Sequence, residues 1–218
     1  MDIGKAFTFL FEDEEKIKKL LIGILVSIIP IVQIMAIGYV VELVRNLLDD
    51  VEYPLPEWDR FGDYFMDGLK ITVGLLVYSI PIILPTCVYG VAAIAVSGGA
   101  VNSSEADTVM GVLTFCLACF VILFAFIPLI LYPAILARYA ETGEFGSVFR
   151  IRDLWSFIQR DMGGYGIVLV VSVLAAFFLA PLGLLLCFIG AFFTQWWVLL
   201  AMGHLTGQLA RNNAEMMA

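Results

Sequence analysis

Acidic side chains crowd one stretch of this chain. Asp49, Asp50, Glu52, Glu57, Asp59, Asp63 and Asp67 fall between positions 49 and 67, with only Arg60 among them. Asp59, Asp63 and Asp67 recur at every fourth position, which on a helix lines them along one face. Trp58, Phe61, Phe65 and Leu69 recur at helical spacing on another. A line of carboxylates has two chemical uses, gripping a divalent cation or docking a basic partner. The plain alternative is a solvated acidic face. An acidic helix is a poor match for an anionic lipid surface, which attracts bases. The partner-docking reading therefore rests on Trp58, Asp59, Asp63 and Asp67.

Other polar residues stand inside apolar surroundings. Glu42 and Arg45 are one helical turn apart and fit an i, i+3 ion pair. Ionisable groups within a membrane segment are also functional candidates by default. His204 is the single histidine and has no acidic neighbour in sequence, so it makes a poor metal site. With Gln195 and Gln208 on the same segment it fits either a polar cavity lining or a hydrogen bond between helices. Tyr78 and Thr86 are further cavity candidates. Cys116 and Cys119 form a C-x-x-C, but both lie deep in an apolar run without a βαβ pattern, which favours close packing over redox chemistry. No H-E-x-x-H, G-x-S-x-G or nucleotide-binding loop occurs. The residues therefore point to no enzyme, no metal site and no cofactor.

The elements that must hold these residues follow from composition. The chain is 61% apolar and 15% charged, against roughly 45–50% and 25% for a soluble domain. A small domain has too much surface to hide that excess. An integral membrane protein is the consequence. A net charge of -8 excludes a phosphate-neutralising nucleic-acid binder. Charge-free runs mark the membrane segments: 20–41, 71–104, 109–137 and 162–210. A bilayer core of roughly 30 Å takes about 20 helical residues, so the last run is long enough for two helices. Pro181-Leu182-Gly183 near its middle is the natural break.

Lysine and arginine placement orders the topology. None of the 12 bases lies in the linker 97–108, which places it outside. The N-terminus, 46–68 and 139–163 carry bases and belong in the cytoplasm. The first apolar run must then return to its own side, with Pro30 as the turn. The expected fold is an all-α polytopic bundle forming one integral membrane domain over 1–218. Its six apolar helices fall near 14–29, 31–48, 69–96, 109–138, 164–180 and 184–209, as three hairpin units. Interfacial amphipathic helices precede the units near 4–12, 56–68 and 147–160. The Pro30 and Pro181 turns also fit re-entrant hairpins, which keep the same sidedness with fewer crossings. Pro81 and Pro85 interrupt one long helix, and Pro128 and Pro133 its partner. Proline kinks such helices, and freed carbonyls can line a transport path.

Leu55-Pro56-Glu57-Trp58-Asp59, followed by Phe65 and Asp67-Gly68-Leu69, resembles the signature of a prokaryotic membrane family. Gly38-Tyr39 with Arg45, and Gly203-His204-Leu205-Thr206-Gly207-Gln208, fit the same pattern. The family is catalogued as domain of unknown function 4013. The resemblance implies a small multi-pass protein of the prokaryotic cytoplasmic membrane. It supplies no activity and no catalytic residues. Two function classes remain. One is an accessory or scaffold subunit of a larger membrane assembly, in contact with lipids and with other subunits or its own copies. The other is a small transporter, channel or lipid-handling protein for a neutral or apolar solute, which needs a polar-lined cavity near Tyr78, Ser79, Thr86 and His204.

Overall fold

The computed structural model describes residues 1–13, 15–97, 104–185 and 187–216. Half of the base-free linker 97–108, residues 98–103, lies outside the described residues. Every regular element among them is helical. In chain order these are α1 (Ile3–Thr8), α2 (Lys16–Ile28), α3 (Gln33–Leu48), α4 (Phe61–Ser97), α5 (Ser104–Thr142), α6 (Ile151–Arg160), α7 (Met162–Leu185) and α8 (Cys187–Glu215). Short 3-10 turns at Phe9–Phe11 and Phe145–Phe149 precede α2 and α6.

Three helices are long and apolar enough to cross a membrane: α4, the Thr108–Thr142 part of α5, and α7. Helices α2 and α3 have 13 and 16 residues, which at 1.5 Å each reach only about 20 and 24 Å. Proline does not end the long helices. Pro81 and Pro85 lie inside α4, and Pro181 lies inside α7. The break expected at Pro181 is not there: α7 runs through Pro181 to Leu185, and α8 begins at Cys187. Proline costs one backbone bond at the preceding turn, and an apolar helix absorbs that locally. Gly183 acts through its missing side chain. A Cβ there would meet the Gly190 carbonyl at 2.7 Å and Ala191 at 2.8 Å, so its absence lets α7 and α8 approach closely.

The sequence reads as one membrane domain; the chain forms two compact units, Met1–Gly74 with Tyr132–Ala218, and Leu75–Leu131. In the first unit α8 is the central strut, with α1, α2, α3 and α7 packed on it. Its core holds Tyr39, Leu43, Trp196, Leu200 and Leu205, all essentially without solvent contact. Close approach explains the glycines. A Cβ at Gly38 would fall on the Tyr64 carbonyl, and one at Gly68 on the Ile34 carbonyl. Backbone thus meets backbone where α3 crosses the start of α4. The second unit is built from the apolar parts of α4 and α5. There the Tyr89 hydroxyl and Thr114 Oγ1 are hydrogen-bonded, and Phe120 stacks on Phe124 at 4.3 Å.

The expected interfacial helix over 56–68 is not a separate element. Residues 54–57 have no regular structure, Trp58 and Asp59 form a turn, and the helix that starts at Phe61 is the unbroken α4. Two prolines, Pro54 and Pro56, disfavour a helical start upstream.

Candidate functional site

Residues 54–58 form a strap across the first unit, held by a ladder of side-chain hydrogen bonds. Asn46 Nδ2 donates to the Pro54 carbonyl at 2.9 Å and Lys19 Nζ to that of Leu55 at 3.2 Å. The Tyr39 hydroxyl donates to Pro56 at 2.7 Å, and that of Tyr64 to Glu57 at 2.6 Å. Four successive carbonyls therefore each have a side-chain donor. Trp58 closes the strap by donating Nε1 to the Lys19 carbonyl at 3.0 Å. Its indole is buried, stacked on Tyr39 at 4.3 Å, with Trp196 at 6.0 Å. A largely buried irregular segment has no ladder of its own, so its carbonyls must find donors elsewhere. Lys19 also pairs with Asp13 at 2.8 Å and Glu57 at 2.6 Å. Burial works to lower its pKa, but the hydrogen bonds to Asp13 and Glu57 outweigh burial and leave it raised. The ammonium stays charged.

Directly beyond the strap is a charged cluster shared by α3, the first turns of α4 and the end of α5. Asp67 lies one turn before the charge-free part of α4 begins at Ile71. Its Oδ2 accepts from Arg45 at 2.7 Å. Its Oδ1 accepts from the Tyr139 hydroxyl and faces Lys70 Nζ at 3.4 Å. Lys70 donates to the Tyr139 hydroxyl at 2.8 Å. Glu42 accepts from Arg45 at 3.1 Å and also pairs with Arg60. The Arg45 guanidinium and Lys70 ammonium stand 5.7 and 5.4 Å from the Tyr139 ring centre, within cation–π reach. Burial alone would raise the Asp67 pKa. The hydrogen bonds from Tyr139 and Arg45, with the charges of Arg45 and Lys70, hold it below the usual carboxylate range.

This cluster borders a polar cavity of about 290 Å³, which Asp63 also lines. Three cations face Glu42 and Asp67, and Asp63 at the rim supplies a third acid. Both Asp67 oxygens accept hydrogen bonds within the cluster. No group of three or more metal-ligating side chains occurs among the described residues.

The sequence-derived candidates separate accordingly. Glu42 and Arg45 form the expected i, i+3 pair and are joined by Asp67 from α4. Trp58 and Asp67 are not presented for docking: the indole is core, and the carboxylate is committed within the chain. Asp59 lies before the helix, off the face shared by Asp63 and Asp67; both Asp59 and Asp63 are exposed. His204 is buried against Phe9, ring centres 4.4 Å apart, and its Nδ1 lies 3.0 Å from Gln208 Nε2. Gln208 bonds onward to the backbone of Asp2 at 2.7 and 3.1 Å. This polar chain ties α1 to α8. Gln195 is exposed beside Ala176, Ala180 and Ala191, between α7 and α8. Ser79 and Thr86 donate to carbonyls of their own helix, at 2.8 and 2.7 Å. Tyr78 is half-buried in the second unit.

The sequence reading missed Lys19, Tyr39, Asn46, Tyr64 and Tyr139 as partners. One signal was present: Pro54 and Pro56 flanking Leu55 announce carbonyls that no helix or sheet will satisfy.

No curated protein matches this chain, and no solved structure does. The family model described as protein of unknown function DUF4013 matches residues 21–188. The matched stretch takes in the strap and the charged cluster, and leaves Lys19, His204 and Gln208 outside. With most of its length matched by that model, the chain belongs to the DUF4013 family.

Proposed function

We propose that this protein is a non-catalytic integral membrane subunit, an accessory or scaffold element of a larger assembly in a prokaryotic cytoplasmic membrane. The observation that carries this reading is the second unit. No residue in the most apolar stretch of α5 is buried. A Cβ at Gly90 or Gly111 would meet nothing within 4 Å. Small residues on apolar helices favour close approach of a neighbouring helix. The hairpin 75–131 thus offers two such faces to another membrane chain or to its own copy. The exposed Asp59 and Asp63 supply a polar contact at the membrane boundary.

In this reading six helices enter the bilayer and both termini stay in the cytoplasm. The pair α2–α3 is a re-entrant hairpin, because neither helix spans a core of about 30 Å. The exposed stripe Ile17, Leu21, Leu25 and Ile28 on α2 faces lipid there. Helices α7 and α8 form the last hairpin.

The test is gentle extraction followed by native mass spectrometry. A reproducible mass above the 24.1 kDa chain, lost on Gly90→Leu with Gly111→Leu, supports the subunit reading. A lone monomer sinks it.

A second reading has one observation in its favour. An apolar cleft of about 610 Å³ lies within the second unit, lined by Leu84, Val88, Ala92, Leu113, Leu117 and Phe120. It is of a size for an acyl chain or small apolar solute, which fits a lipid-handling role. Retained lipid on a monomeric species, displaced by Leu113→Trp, distinguishes that case.

A further inference from the structure

The chain has seven arginines. Arg45, Arg60, Arg138, Arg150 and Arg211 each pair with a carboxylate. Among the described residues Arg152 and Arg160 pair with none, and both are exposed on α6. In a chain with 20 acids against 12 bases, two free guanidiniums on one ten-residue helix are a selective arrangement.

The rest of α6 explains what they face. Leu154, Phe157 and Ile158 are buried and fasten the helix to the first unit. Ile151 and Trp155 are not part of that contact: they are 62% and 53% exposed. At about 100° per residue, Ile151 and Trp155 lie within roughly 40° of each other. Arg152 follows about 60° beyond Trp155, and Arg160 about 80° further round. The helix therefore presents in order a buried apolar face, an exposed apolar stripe and an edge carrying Arg152 and Arg160, with the half-exposed Asp153 about 20° beyond Arg160. The Asp161 carboxylate caps the next helix by accepting from the Gly164 amide at 2.7 Å. Thus α6 leads through the single residue Asp161 into α7, which is long and apolar enough to span a membrane. A helix so joined sits at the level where hydrocarbon meets headgroups. There a tryptophan side chain favours the boundary, and arginine extends its head toward phosphate.

We infer that Arg152 and Arg160, with Trp155 and Ile151, form an anionic-phospholipid headgroup site on α6. The guanidiniums take the phosphate oxygens while the indole and Ile151 lie against the upper acyl chains. The partner is an anionic lipid of the bilayer rather than a soluble phosphate, because the stripe beside the cations is apolar and uncovered. This site does not depend on the subunit reading: a monomer with no protein partner would carry it equally.

The test titrates purified, delipidated protein with phosphatidylglycerol or phosphatidylcholine and counts bound lipids by native mass spectrometry. The wild-type chain is expected to prefer phosphatidylglycerol, and the preference to weaken as salt rises. Arg152→Gln with Arg160→Gln is expected to cut phosphatidylglycerol binding roughly twenty-five-fold, at about fivefold for each cation. Arg152→Lys with Arg160→Lys restores a large part of it. Arg150→Gln, whose parent is already paired with Glu144, changes little. In vesicles with brominated acyl chains, tryptophan emission is quenched, and Trp155→Phe lowers that quenching below the wild-type level: Trp58 and Trp196 are buried, and half-buried Trp197 supplies the remainder. Equal binding of the two lipids overturns the inference. So does wild-type phosphatidylglycerol binding by the Arg152→Gln, Arg160→Gln variant, or loss of a co-purified protein from that variant with lipid binding intact.

Discussion

Tyr39 stacks its ring on Trp58 at 4.3 Å, with 20° between the planes, while its hydroxyl holds the carbonyl of Pro56, two residues upstream of that indole. One side chain on α3 thus fixes both the backbone and the principal anchor of the strap. The two interactions separate by mutation. Tyr39→Phe keeps the stack and leaves the buried Pro56 carbonyl without its donor, at a cost of about 1 kcal/mol. Tyr39→Ala loses the ring as well, and a buried aromatic truncation costs about 3–5 kcal/mol. Unfolding midpoints in a mild detergent, for wild type and both variants, should fall in that order. Equal loss from the two would mean that the ring contributes nothing.

Trp58 ties the strap to α2 through the Lys19 carbonyl, so its removal should free the strap rather than a docking surface. Trp58→Ala is expected to make the 54–60 segment cleavable by added protease and to lower stability by about 3–5 kcal/mol. Asp59→Asn with Asp63→Asn should leave stability within about 0.5 kcal/mol, because both side chains are exposed. Limited proteolysis and a thermal melt distinguish the two. A protected strap in Trp58→Ala would show that the four carbonyl bonds suffice without the indole.

Asp67 carries the pH dependence. Its carboxyl is held below the usual range by Tyr139, Arg45 and Lys70. A depressed folded-state pKa contributes stability that is full above the unfolded value, near 3.9, and is lost as pH falls through the folded value. Melting temperature should therefore drop below about pH 4. Asp67→Asn removes that dependence and lowers stability at pH 7 by about 1–2 kcal/mol, a partly exposed pair being worth less than a buried one. A melt series from pH 7 to pH 3 reads both effects. An unchanged acid slope in Asp67→Asn would place the titration elsewhere.

Helical class and the long apolar helices were legible in the sequence because charge gaps and chain length carry them directly. The Glu42–Arg45 pair was legible because spacing on one helix determines it. Asp67 was legible as an acid on the same face as Asp63, but not as the partner of Arg45, since that contact needs the crossing of α3 and α4. Trp58 read as an interfacial aromatic because amphipathic spacing does not say which side meets protein. Pro181 read as a helix end because proline is a breaker in water; along an apolar helix the lost bond is local, and α7 continues to Leu185. The strap itself was hidden because its donors come from Lys19, Tyr39, Asn46 and Tyr64, spread over three helices.

The crossing of α3 and α4 gives the sharpest structural test. A Cβ on Gly38 would fall on the Tyr64 carbonyl and one on Gly68 on that of Ile34. In both cases the obstacle is backbone, which cannot rotate away as a side chain can. The same crossing brings Arg45 to Asp67, so a wider approach would stretch that pair as well. Gly38→Ala and Gly68→Ala should each cost about 3 kcal/mol or more, the upper end for overpacking. Gly62 is the internal control. It lies in the first turn of α4, and a Cβ there would meet nothing within 4 Å. Gly62→Ala should stabilise by about 0.5–1 kcal/mol through the lower helix penalty. Melts of the three variants decide the matter. A Gly38→Ala chain as stable as wild type would mean that α3 and α4 cross with room to spare.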